Sequence, residues 1–197
     1  MKLRTLFFSS IISIATAAFA APATTAAVHE CVPGKPTAAS YTWNFKGEAN
    51  TIFQEVQADA QQALNHADRL QSYADSENLS WQIHAGQLNP LKEEVNDMGR
   101  KLCRLEVIRR VTAPWQQAEI DRIAKTVRLM ADNTEDAILY GRAHQKTLWT
   151  PAYQKYADSL YGEAQTLTHS VDNAVAYAKA TKEYRELRQE MGMRSSL

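Results

Sequence analysis

His84, His144, Tyr73 and Tyr153 are the residues whose types and spacing could do chemistry together. Neutral imidazole ligates transition metals and haem iron, and aromatic walls with small neighbours can make room for a cofactor. Reflecting the chain about a loop near residue 112 sets His84 level with about Tyr140, so His144 is offset by four residues, about 6 Å along a helix axis. Reflection about the first loop brings Tyr73 to the same level, and Tyr153 and Tyr156 reach it from a fourth helix. Trp81 and Trp149 fall close by. The surrounding Ala67, Ala137, Gly141, Ala157 and Ala164 are small, so helices either close tightly there or leave a cavity.

Two readings follow. The four residues hold haem or a transition metal, or they are polar members of an aromatic helix end, bonded to one another or to water. The second asks less, since two histidines make an incomplete site and no carboxylate falls on the apolar seam at that level. The expectation is therefore no cofactor, with haem or a metal as the alternative. His66 is roughly two turns deeper, while His29 and His169 are expected to face solvent.

Other chemistry lacks its signature. The seven glycines are scattered and cannot cradle a phosphate, no Glu-x-x-His pair suits a di-metal bundle site, and neither CxxC nor CxxCH occurs. With no recognisable set of nucleophile, base and oxyanion donor, the chain is not expected to be an enzyme.

The elements that must position these residues are helices. From Ser80 to Arg110, Trp81, His84, Leu88, Leu91, Val95, Met98, Leu102 and Leu105 recur at alternating spacings of three and four, which puts them on one face. Pro90 interrupts this stretch, and because the spacing runs on across it, one kinked helix is expected, eased by Gly86, rather than a second helix starting at Asn89. Similar stripes run through Ile52, Val56, Ala60, Ala63, Ala67 and Leu70, through Ile120, Ile123, Val127, Met130, Thr134, Ala137, Gly141 and His144, and through Tyr153, Ala157, Leu160, Ala164, Leu167, Val171, Ala174 and Ala178. Asp59 is expected at a solvated edge. Ser80 is expected to cap the second helix through its hydroxyl, and Thr150-Pro151 opens the fourth. The cations Arg100, Lys101, Arg104, Arg109 and Arg110 give the second helix a positive end, which suits a helix C-terminus. Trp43, Trp81, Trp115 and Trp149 recur near the starts of the helices, as equal-length helices would place them.

The fold class expected is all-α: an antiparallel up-down-up-down four-helix bundle with an extended N-terminal tail. Its parts are a signal peptide over 1–20 and a tail with an aromatic segment over 21–46, in which Tyr41, Trp43 and Phe45 share a side. The bundle occupies 47–190, with helices at about 48–76, 80–111, 114–146 and 151–190, and a frayed end covers 191–197. Short loops favour antiparallel neighbours.

The first twenty residues carry Lys2 and Arg4, an apolar run and Ala18-Phe19-Ala20, the pattern of a secretory signal cleaved near Ala20. The run is shorter than the ~20 residues that span a bilayer, and the mature chain has no transmembrane candidate. Export makes it periplasmic or extracellular. Without Lys2 and Arg4, the 22 basic residues fall to 20 against 22 acidic ones, and this near-neutral balance argues against nucleic-acid binding. In an oxidising compartment the two cysteines, Cys31 and Cys103, are expected to pair, since the tail and the end of the second helix meet at one end of the bundle. The expected role is noncatalytic, binding or scaffolding in the cell envelope, with an envelope protein or a second copy as partner.

Overall fold

The computed structural model describes residues 44–192. The signal segment, the tail up to Trp43 with His29, Cys31 and Tyr41, and residues 193–197 lie outside them.

Four helices and no strand make up the described residues: α1 (Phe45–Ala74), α2 (Trp81–Ile108, followed by a 3-10 turn at Arg109–Val111), α3 (Pro114–Ala143) and α4 (Pro151–Glu190). The chain is all-α. Helix α2 runs unbroken through Pro90, as the continuous seam requires.

Helix α1 starts earlier than its apolar stripe indicated, because Asn44 caps it. The Asn44 Oδ1 accepts the Gly47 N–H at 3.0 Å, and its carbonyl accepts the Glu48 N–H at 2.9 Å. Phe45 and Lys46 are therefore helical and do not extend the alternating segment. Ser80 does occupy the cap position of α2, but its hydroxyl makes no capping bond. At α3 the cap comes from inside the helix: Gln116 Oε1 accepts the Ala113 N–H at 2.8 Å. The same buried side chain donates to Lys46 O at 2.9 Å and Asn50 Oδ1 at 2.7 Å, tying the start of α3 to the first turns of α1.

All four helices share one apolar core. The seam residues Leu88, Leu91, Val95, Met98, Leu102 and Leu105 of α2 are buried with Phe53, Val56 and Leu70 of α1, Ile120, Ile123 and Met130 of α3, and Leu160, Leu167 and Val171 of α4. Side-chain contacts join neighbouring helices at more than one level. On α1 and α2, Glu48 meets Arg104 whereas His66 meets Gln87. On α1 and α4, Gln57 donates to Asp172 and Gln71 to Asp158. On α3 and α4, Trp115 meets Tyr177 and Tyr140 meets Tyr153.

Two surface expectations need correction. Asp59 is buried at 8% exposure, and Lys101 Nζ lies 2.5 Å from its Oδ2. A carboxylate at the helix contact is tolerated because α2 supplies the opposite charge. The basic end of α2 is likewise largely neutralised: Arg104 pairs with Glu48, Arg109 with Asp121 and Arg100 with Asp97.

Candidate functional site

The site is built on His84, one turn into α2. It sits on the seam because Trp81, His84 and Leu88 share a face, and it is fully buried. Tyr153, in the first turn of α4, is fully buried as well. Their ring centroids are 5.2 Å apart and nearly perpendicular. Tyr73, in the last turn of α1, closes the other side of the imidazole at 6.1 Å, again edge to face. Tyr140 of α3 lies 6.1 Å beyond Tyr153. Four helices thus each contribute one ring to a continuous aromatic stack at one end of the core.

Trp81, partly buried, packs against the core. Gly141 makes its place: a Cβ built on that glycine would fall 2.0 Å from Trp81 Cζ3, inside contact distance. Of the small residues named from the sequence, Gly141 serves close approach, and Ala67, Ala137, Ala157 and Ala164 are buried in the core. Leu148, from the loop between α3 and α4, is buried too.

His144 departs from its expected place. Helix α3 ends at Ala143, and His144 leaves helical geometry at φ −124° and ψ 39°, exposed to solvent. Its backbone N–H donates to the Tyr140 carbonyl at 2.9 Å, its Nδ1 lies 3.0 Å from the same oxygen, and its ring stacks on Tyr140 at 4.1 Å. The side chain therefore adds a second contact to a helix-end carbonyl that the His144 N–H already serves. The structure thus brings His84, Tyr73 and Tyr153 together, and it sets His144 outside, beyond the Tyr153 and Tyr140 rings.

The electrostatics of the site follow from burial. Both ring nitrogens of His84 and the hydroxyl of Tyr153 are buried without a hydrogen-bond partner. Loss of water penalises the charged form of each group, so the His84 pKa is lowered and the Tyr153 pKa is raised. Imidazole and phenol are both neutral near pH 7. A neutral imidazole has a lone pair to offer a metal, whereas a phenol held protonated is a poor ligand. Among the described residues, no three His, Cys, Asp or Glu side chains form a metal-binding group.

His66 and His169 stand apart from the cluster. His66 Nδ1 lies 3.0 Å from Gln87 Oε1 across the α1–α2 contact, and the exposed His169 bonds Asn173 on its own helix. Cys103 is not a free thiol, and Cys31 falls outside the described residues.

One surface feature lies apart from the residues singled out by spacing. The last turns of α4 carry Tyr177, Tyr184 and Leu187, exposed at 54%, 61% and 55%, and Met191, just past the helix end, is exposed at 62%. Their spacings of seven, three and four were legible, but the many charges around them read as a solvated end. No helix among the described residues is long and apolar enough to cross a membrane. The chain matches no family model, and no curated protein or solved structure is matched either.

Proposed function

We propose that this chain is an exported, noncatalytic helical-bundle protein that acts by binding or scaffolding in the cell envelope. Its architecture in this reading is an antiparallel up-down-up-down four-helix bundle, which the opposed contacts between neighbouring helices support. The leader is removed near Ala20, and Cys31 pairs with Cys103. The observation that carries the functional reading is the row of large apolar side chains at the end of α4, exposed at more than half of their surface. Apolar side chains gathered on one helix face mark interaction sites far more often than scattered ones do.

The experiment is crosslinking in the native envelope with a photoreactive residue at position 187. A specific adduct to an envelope protein or to a second copy is expected; no adduct of either kind overturns the reading. Mass spectrometry of the purified chain is expected to find a mature terminus at Ala21 and no free thiol.

One observation favours an alternative, a haem or transition metal bound through His84: its two ring nitrogens are buried and unpartnered. A visible spectrum and metal analysis of native protein test this reading. Blank results in both overturn it, as does a spectrum unchanged in His84→Ala.

A further inference from the structure

Helix α4 has 40 residues, whereas its neighbours have 28 to 30. Trp115, the second residue of α3, already meets Tyr177, with ring centroids at 4.8 Å. On the other side, Gln57 pairs with Asp172, so the first residue of α1 comes level with about Tyr184 at equal rise along both helices. From there to Glu190 the helix continues past the starts of both neighbours. It stops at Gly192, whose φ of 65° is left-handed backbone suited to a residue without a side chain.

The face it presents changes along its length. Val171, Ala174 and Ala178 are buried against the core. At about 100° per residue, the row formed by Tyr177, Ala180, Tyr184, Leu187 and Met191 lies roughly 130° further round the helix. These residues follow the three-four alternation of a coiled-coil seam, with Tyr177, Tyr184 and Met191 at a and Ala180 and Leu187 at d. Glu183 then falls at g and Arg188 at the following e. In a parallel pair of such helices, g of one chain faces the next e of its partner, so Glu183 meets Arg188 twice by symmetry. In an antiparallel pair, g faces g and e faces e, which sets Glu183 against Glu190 and Thr181 against Arg188, so no opposite charges meet.

We propose that the occupant of this face is a second copy of the chain, paired in parallel through the end of α4 from residue 177 and its C-cap Met191. The inference rests on the surface-binding reading above and names its partner. The charge pattern selects the parallel arrangement. Two heptads bury less than the ~1,200 Å² of stable interfaces, so the dimer is weak and concentration-dependent. The helix itself is already formed as part of a folded body, which removes the nucleation cost that defeats short isolated coils.

Sedimentation of the mature full-length chain over a concentration series is the test. A reversible monomer–dimer equilibrium is expected. Leu187→Asp should abolish it without changing the thermal melt, since Leu187 lies outside the core. Glu183→Arg and Arg188→Glu should each weaken it roughly tenfold, two like-charge contacts being created in each case, and the double exchange should restore it. A chain that stays monomeric, a Leu187→Asp chain that still dimerises, or a double exchange without rescue overturns the proposal. Capture of a different envelope protein, or of residues 21–43 of the same chain, by the photoreactive residue at 187 in a monomeric chain overturns self-association. The first outcome leaves the envelope-binding reading standing, and the second overturns both.

Discussion

The imidazole of His84 meets the phenol of Tyr153 edge to face, with ring centroids 5.2 Å apart and planes at 78°. Both side chains are fully buried, and the three polar atoms they bring together have no partner. An unsatisfied buried polar group costs about 1–3 kcal/mol, so this contact is a weak point in an otherwise apolar end of the core. It makes the stability of the fold depend on pH and on single atoms.

The pH dependence has a definite sign. Burial lowers the folded-state pKa of His84 below the ordinary 6.5, so the unfolded chain binds a proton more readily than the folded one. The stabilisation is fully present above pH 6.5 and is lost as the pH falls below it. The slope contributed is at most about 1.4 kcal/mol per pH unit. Urea titrations between pH 7.5 and 5 should show this loss in the wild type, and His84→Phe should remove that part of the slope.

Tyr153→Phe deletes the unpartnered hydroxyl and keeps the ring. Equal or higher stability is expected, by up to about 1 kcal/mol, because an orphaned polar group is removed. A loss of more than 1 kcal/mol in urea unfolding would mean that the hydroxyl has a bonding partner.

Gly141→Ala separates helix propensity from packing. Alanine is better than glycine within a helix by about 0.5–1 kcal/mol, but here the added methyl runs into the Trp81 ring. Net destabilisation of about 1–3 kcal/mol is expected. Trp81→Leu should make the second change, Gly141→Ala, neutral or stabilising, which a double-mutant cycle reads directly.

Lys101→Met leaves Asp59 buried without its counter-charge. A cost of about 2–4 kcal/mol is expected, because an unpaired buried carboxylate keeps its desolvation penalty. Adding Asp59→Asn should recover at least half of it. Arg100→Met, which breaks the exposed pair with Asp97 within one helix, should change thermal unfolding by less than about 0.5 kcal/mol.

The sequence by itself determined four helices and most of the residues they bury. The spacing from Trp81 to Leu105 already put His84 on the core face, because helical periodicity is a local property of the chain. It also favoured one helix through Pro90 over a new start at Asn89, and α2 is continuous there. Helix ends were less legible: Asn44 and Gln116 set them through specific hydrogen bonds, and Ser80, a good cap by type, makes none.

Tertiary structure decided which neighbours each side chain meets. Asp59 looked like an edge residue until Lys101 arrived from α2. His144 continued the stripe of α3 on paper, yet it turns back onto the carbonyl of Tyr140. The pairing of His84 with Tyr153 joins residues 69 apart in sequence, and the chain ordering alone gave their common level but not their contact. The apolar row on α4 needed the lengths of the other helices to be recognised, since it runs on past Tyr177, which meets Trp115 at the start of α3.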